Sequence, residues 1–435
     1  MSDIIAPKTL KGFRDFLPSN EISRATLIEN FTNIFRASGF VPIDTPCLEY
    51  SEILLRKSNG ETEKQVFRFN DAGGRDVSLR FDLTVPFARF IAEHYQELYF
   101  PFKRYHIAKV WRGEKPQGGR FREFVQCDFD IVGSTSFCTD FEILQLIHSS
   151  FASINCPVKI HLSHRGIFNE FLTSLSIKEN SEEVLRIVDK IKKIGKKEVE
   201  KELKSLVSEE KAKKILDFVL CNEDCSPFEV VLSRLNTLVP QAKEHIDFLK
   251  EICNLLESVG IEKAFILDMS ITRGLDYYTG VVYETFLSEM EEIGSVCSGG
   301  RYDNLTGFYM KEKVSGVGAS IGIDRLLAAL EMLNKEKSIL SFTNAIIFSN
   351  ENYRDSYKII SYFRKKDIVV EFFPDNKKMT KQYELAEKKG IHWGIYLENT
   401  IASNIEETNI KLKNLITREE FSLSLKDSVG KMLGA

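Results

Sequence analysis

The chain has 435 residues, which at roughly 150 residues per domain implies about three modules and excludes one core of ordinary size. Its composition, 43% hydrophobic and 28% charged with only 25 Gly and 11 Pro, excludes a fibrous or disordered chain. With 59 Lys and Arg against 63 Asp and Glu the formal net charge is -4, so any nucleic-acid site must be a local patch rather than a global property.

The N-terminal MSDIIAPKTLKG lacks the apolar run of a signal peptide, and no stretch approaches the length that spans a bilayer, so a cytoplasmic protein is expected. A first helix is predicted over residues 23–37, where Leu27, Ile28, Phe31, Ile34 and Phe35 share one face and Gly39 follows as a stop. A strand begins at Val41 in VPIDTP. Strand patterns then dominate residues 66–132, interrupted near Pro86 by a short helix to about His94, with Thr84 as its cap.

Residues 162–260 change to long Lys-rich and Glu-rich helical patterns, a helical insertion whose lysines read more simply as a solvated surface than as phosphate contacts. Strands resume at Phe265 and run through Tyr277 to Phe286, and two glycine-rich stretches lead to a helix over about 323–334. Beyond a polar linker, AIIF, residues 353–366, IVVEFF, residues 378–389 and WGIYL alternate strand with helix, which describes a separate small α/β domain with a less regular end. The expected organisation is a split α+β domain at 1–161 and 261–333, the insertion at 162–260, a linker at 334–342 and the α/β domain at 343–435. The eight cysteines are scattered and read as reduced, mostly buried thiols; Cys221 and Cys225 lack the second pair that a zinc site needs.

Four stretches carry chemistry. In YHIAKVWRGEKPQGGRFREFVQCDFDIVG, residues 105–133, two extended runs flank Gly118-Gly119 as a hairpin. Alternation in the second run puts Val125, Cys127, Phe129 and Ile131 on one face and Arg122, Phe124, Gln126, Asp128 and Asp130 on the other. Two carboxylates, an amide, an arginine and an aromatic, with Arg112 and Glu114 across the hairpin, suit a ligand with an anionic part, a flat ring and a polar or cationic part. The second stretch is TRGLDYYTGVVYE, residues 272–284, and the third is SGGRYDNL, residues 298–305, where paired glycines allow close backbone approach. The fourth, GVGASIGIDRLLAALEML, leads small residues into a helix bearing Arg325.

In this order the stretches resemble the signature motifs of class II aminoacyl-tRNA synthetases, and specifically the histidyl-tRNA synthetase family, over nearly the whole chain. KGFRDFLP and GFVPIDTPCLE are similar to the family's N-terminal segment and dimer-forming motif 1, the hairpin to motif 2, and residues 316–330 to motif 3. RGLDYYTG and SGGRYD resemble the two histidine-specific motifs. QCDFDI and VYETF are more similar to the eukaryotic-type branch than to the common bacterial one.

The resemblance implies an α+β fold, a class II antiparallel sheet flanked by helices, with a helical insertion and a C-terminal α/β anticodon-binding domain. It implies a homodimeric ligase that joins L-histidine to ATP as an adenylate and then transfers it to tRNA(His), with Mg2+ carried on the ATP and no metal held by the protein itself. Arg112 and Arg273 match the catalytic arginines about the α-phosphate, where always-charged, forked donors are suited to charge that redistributes during attack. Glu114 and Phe124 match positions that contact and stack on adenine, and Arg325 the clamp on the far end of the triphosphate. Asp82, Leu83 and Thr84 of RFDLTVPFAR, with Gln126, match the segment that holds the α-amino group. Asp130 and Tyr278, with Tyr277 beside them, match positions that grip the imidazole nitrogens, a pairing that rejects rings without N–H donors. Where some members carry glutamate, Asp82 and Asp130 are one methylene shorter, which implies a different pocket or a bridging water. Two other readings are a regulatory subunit of ATP phosphoribosyltransferase and a non-catalytic tRNA sensor; both are disfavoured by the retained Arg112, Arg273 and Arg325. The seven histidines, with no supported nucleophile nearby, read as structural or surface residues.

Overall fold

The computed structural model describes residues 5–55, 61–115, 119–177, 180–271, 278–304, 306–333, 339–348, 352–375, 377–397 and 401–434, excepting the side chains of 61, 62, 182 and 193. The chain forms two compact units, Met1–Arg14 with Thr26–Lys335 and Asp15–Ala25 with Glu336–Ala435.

Helix α1 (Pro18–Ala37) begins five residues before the expected start. Proline at the first helical position has a preset φ and lacks an N–H that would find no partner there anyway, so the helix starts ahead of its apolar stripe. Strand β1 (Val41–Pro42) follows. A small sheet then forms from β2 (Leu48–Tyr50), β3 (Arg68–Asn70) and β4 (Asp76–Leu79), in the order β2-β4-β3, with α2 (Ser51–Leu55) and α3 (Glu61–Gln65) between its first two strands. Helix α4 (Thr84–Glu93) corrects the expected cap: Thr84 is its first residue, and the Asp82 carboxylate accepts the Val85 N–H at 2.9 Å.

The long hairpin is β5 (Phe102–Trp111) and β6 (Glu123–Val132), paired without interruption from Phe102↔Val132 to Trp111↔Glu123. After α5 (Phe137–Ser153) and β7 (Val158–His164), the described elements up to Ser258 are helical: α6 (Arg165–Ser174), α7 (Ser181–Val188), α8 (Ile191–Ile194), α9 (Lys196–Leu206), α10 (Glu209–Val219), α11 (Phe228–Leu238) and α12 (Lys243–Ser258). Strands β8 (Phe265–Leu267), β9 (Val281–Leu287), β10 (Cys297–Tyr302) and β11 (Gly316–Gly322) complete the main sheet, and α13 (Ile323–Met332) follows. Of the strand expected through Tyr277 to Phe286, the part from Val281 is present and residues 278–280 are not in it; residues 272–277, Tyr277 among them, lie outside the described residues.

Among the described residues the main sheet has eight strands in the order β1-β5-β6-β11-β10-β9-β7-β8. All neighbours pair antiparallel except β1 with β5 and β7 with β8. One face of β6 presents Val125, Cys127, Phe129 and Ile131 to the core, as the alternation predicts, and all four are buried. Phe35 of α1 meets Phe129 with ring centroids 4.8 Å apart. The insertion extends this core: Val184, Phe218 and Leu249 belong to the same buried cluster, and Phe171 stacks on Phe218 at 4.2 Å. Several of its lysines form local surface ion pairs, such as Lys204 with Glu200 at 2.9 Å and Lys214 with Glu210 at 2.7 Å, which favours the solvated-surface reading for these. Five cysteines are buried, while Cys47, Cys138 and Cys225 are exposed.

The second unit contains β12 (Ala345–Ile347), α14 (Tyr353–Arg364), β13 (Val370–Phe372), α15 (Met379–Lys388) and β14 (Trp393–Leu397), with β12 parallel to both β13 and β14. The end that looked irregular is ordered as β15 (Asn409–Asn414), β16 (Glu420–Ser424) and α16 (Leu425–Leu433), with β15 antiparallel to β14 and β16 antiparallel to β15. Ile410 and Leu412 are buried at alternate positions of β15 and join Phe363 and Ile395 in this unit's core.

Phe129→Ala, at a site with no exposed surface, is expected to lower stability by about 3–5 kcal/mol, because a large aromatic lost from close packing leaves a cavity. Denaturant unfolding of the variant beside the wild type checks this.

Candidate active site

Residues directly opposite one another on neighbouring strands share a face of the sheet. The register therefore assembles one polar floor. Arg104, His106 and Ala108 of β5 lie against Asp130, Asp128 and Gln126 of β6. Those three lie in turn against Gly318, Ser320 and Gly322 of β11, and Gly318 and Ser320 lie against Gly300 and Ser298 of β10. Two glycines make the floor deep. A Cβ on Gly318 would sit 1.9 Å from Asp130 Oδ1, and one on Gly300 would sit 3.0 Å from the Tyr278 ring.

At one end of the floor stands Asp130. Its Oδ1 accepts the Tyr302 hydroxyl at 2.7 Å, and Oδ2 lies 2.6 Å from Arg104. Burial raises its pKa, while Arg104 and Tyr302 oppose the rise. Gln126 donates through Nε2 to Ser320 Oγ at 2.8 Å, leaving Oε1 without a hydrogen-bond partner among the described residues. Asp82 is buried, and its pKa is raised by desolvation against the pull of the Val85 amide and Arg112. Leu83 is wholly buried and Thr84 half-buried at the start of α4.

The other end is cationic. Arg112 donates from Nε to the Phe81 carbonyl at 3.1 Å, and its guanidinium carbon lies 4.4 Å from the Phe81 ring centroid and 5.2 Å from that of Phe124. Arg325 donates to the Ser295 carbonyl at 2.6 Å. Its pKa is lowered by burial and then by the nearby charges of Arg120 and Arg112, against Glu114 and Glu284. Glu114 lies 3.6 Å from Arg120. Three arginines thus converge where an anionic ligand would relieve their repulsion.

The structure brings together Asp82, Thr84, Arg112, Glu114, Phe124, Gln126, Asp130, Tyr278 and Arg325 on or around this floor. Arg273 and Tyr277 lie outside the described residues. Several supporting residues were missed by reading the sequence. Asp324 of α13 accepts the Val125 N–H through Oδ2 at 2.6 Å and meets Arg14 through Oδ1 at 3.1 Å, locking the motif 3 helix and the N-terminal segment onto β6. Arg14 also lies 4.1 Å over the Phe121 ring, and the Gly12 carbonyl accepts the Arg122 N–H at 2.8 Å. Arg301 of SGGRYD is structural: it pairs with buried Asp140 and donates to Ser134, Ser136, Thr139 and Ser315. Asp128 and His106 face the floor unassigned. Burial holds His106 down to about 4, with Arg104 and Arg80 adding to it, so the ring is neutral near pH 7.

Burial pushes the Asp128 carboxyl from 3.8 up to about 7, with Arg104 opposing. The folded protein then keeps a proton that the unfolded chain loses, so this group's contribution to stability falls as pH rises from 3.8 to about 7. Asp128→Asn removes that loss. The variant should gain on the wild type across the window by on the order of 1 kcal/mol per pH unit, measured as unfolding midpoints at several pH values; parallel curves would contradict the shift.

The family model described as histidyl-tRNA synthetase matches residues 12–326. The chain is 57% identical to the histidine–tRNA ligase of Treponema denticola, with 99% of each chain covered. The crystal structure of histidyl-tRNA synthetase from Nostoc sp. PCC 7120 superposes with a TM-score of 0.87 at 30% identity, covering 99% of this chain and 100% of that one. A structure described as an ATP phosphoribosyltransferase regulatory subunit/histidyl-tRNA synthetase from Bacillus halodurans C has a TM-score of 0.75 at 21% identity over 88% of this chain and 97% of that one, a likeness of fold alone. With motifs, sheet and relatives in agreement along its length, the chain belongs to the histidyl-tRNA synthetase family.

Proposed function

We propose that the floor carried by β6 is where histidine and ATP meet, with the amino acid at the Asp130 end and the nucleotide at the arginine end. The chain is an ATP-dependent aminoacyl-tRNA ligase that activates histidine and transfers it to tRNA. The observation that carries the placement is the polarity of one sheet face: an acidic, hydrogen-bonding end at Asp130 and a cationic end at Arg112, Arg120 and Arg325. Six residues of strand, roughly 20 Å, separate Asp130 from Phe124, a span suited to a ligand with distinct groups at its two ends.

In this reading Asp82, Thr84 and Gln126 hold the α-amino group, and Leu83 contributes main chain, its side chain being buried. Asp130 and Tyr278 take the imidazole, with Tyr277 beside them. Arg112 and Arg273 stabilise charge about the α-phosphate, and Arg112, already held by the Phe81 carbonyl, needs little reorganisation during attack. Phe124 stacks on adenine, Glu114 accepts from it, and Arg325 clamps the end of the triphosphate. Magnesium carried on the ATP would neutralise part of its charge, and Glu284, a carboxylate that acts on Arg325, suits that surrounding.

The partners follow from the same reading. tRNA(His) is bound with its anticodon on the second unit. A second copy covers the edge strand β1 and its surroundings, where Val41, Leu48 and Tyr50 are 47%, 43% and 50% exposed beside a cleft of ≈ 890 Å³. No described helix is long and apolar enough to cross a membrane, and the proposed location is the cytoplasm, where tRNA is charged.

Histidine-dependent exchange of pyrophosphate into ATP tests the proposal. Wild-type protein should catalyse it, Arg325→Ala should raise the KM for ATP by roughly tenfold to a hundredfold, and Tyr278→Phe should weaken histidine binding by about 1–3 kcal/mol. Absence of exchange, the outcome expected of a regulatory subunit or a tRNA sensor, would refute the catalytic assignment.

A further inference from the structure

Arg104 has no exposed surface and is among the largest wholly buried side chains of the described residues. A buried cation is costly unless it is well compensated. Here the compensation is narrow. The guanidinium carbon lies 4.0 Å over the Phe87 ring, and Nη2 approaches Asp130 Oδ2 at 2.6 Å. The angles of that approach fall outside a hydrogen bond, and Nε and Nη1 find no acceptor among the described residues. Among the described residues its close ion pair is with one carboxylate, although its charge is also felt by Asp128 and Asp82. Asp130 is in turn held from its other side by the Tyr302 hydroxyl, and Gly318 leaves the space it occupies. Three strands thus converge on one acceptor. Asp128, two residues along the same face and as deeply buried, shows the contrast, with Oδ1 lacking a hydrogen-bond partner among the described residues.

We infer that Arg104 and Tyr302 are positioning residues for histidine recognition: from neighbouring strands on the same face of the sheet they fix the Asp130 carboxylate so that it accepts an imidazole N–H in one orientation. This rests on the placement of Asp130 in the histidine pocket. Arg104 itself is too deep to touch substrate, so its effect passes through Asp130. An acceptor already locked by its own partners loses little freedom when the ligand arrives, which favours rings that offer an N–H at that point. The short aspartate suits this arrangement, because an arm pinned at both oxygens keeps its place without the reach of a longer side chain.

Pyrophosphate exchange in the full-length protein tests the inference through a double-mutant cycle of Arg104→Met and Asp130→Asn. Arg104→Met should raise the KM for histidine roughly tenfold or more and leave the KM for ATP unchanged, and the double variant should be no worse than Asp130→Asn alone. Additive losses, or equal losses for both substrates, mark a merely structural arginine and overturn the inference. If Arg104→Met does not fold, Arg104→Lys and Tyr302→Phe carry the same cycle; each should raise the KM for histidine selectively and non-additively, and an unchanged value overturns it. Asp130→Asn separates the two claims. If it leaves the KM for histidine unchanged, the pocket assignment fails; if it raises that KM while the Arg104 variants do not, only the positioning role fails.

Discussion

A central strand buried on both faces constrains everything around it. From Val125 to Val132 each residue of β6 is buried, yet every second position up to Asp130 is polar. The apolar set makes the hydrophobic core, so the polar set cannot escape to water by a change of register, because a one-residue slip would drive the carboxylates into Phe35 and its neighbours. Buried polar groups must then find partners or give up their charge. Both outcomes are visible: Gln126 is half satisfied by Ser320 and Asp130 is held by Arg104 and Tyr302, while Asp128 is pushed toward its protonated form.

The same constraint explains the glycines and the outlying locks. The Asp130 carboxylate standing on β6 occupies space that a Cβ on the neighbouring strand would fill, which is why Gly318 lies opposite it. Beyond the end of β11 the Val125 amide has no strand to pair with, and Asp324 supplies the acceptor, tying α13 and Arg14 to the strand. The helix that carries Arg325 is thereby referenced to the strand that carries Phe124 and Asp130. Repulsion among Arg112, Arg120 and Arg325 is tolerated because their own anchors, the Phe81 and Ser295 carbonyls and Glu114, fix them in place before a nucleotide arrives.

Much of this was legible in the sequence, because period-2 alternation needs no partner to be read. It separated Phe129 and Cys127 from Gln126 and Asp130 correctly, and motif resemblance attached roles to Arg112 and Arg325. What escaped depends on long-range register. Asp130 and Tyr302 are 172 positions apart and Val125 and Asp324 are 199 apart, so no local pattern announces either bond. Arg104 looked like one more basic residue in a strand, and only its placement opposite Asp130 gives it meaning. The Thr84 cap was misread because helix pattern and cap preference were weighed without seeing that the Asp82 carboxylate reaches the same amides. The hairpin and last helix of the second unit were legible in the alternation of Ile410 and Leu412, but the polar run before them hid where the pattern resumed.

The central claim is that one face of β6 seats the whole activated amino acid, imidazole at one end and adenine at the other. A crystal structure with a non-hydrolysable histidyl-adenylate analogue tests it most directly. The account predicts an imidazole N–H on the Asp130 carboxylate, the phosphate mimic beside Arg112 and adenine against Phe124. An analogue bound with its imidazole away from Asp130, or with its adenine outside the Arg112 and Arg325 end, would contradict it.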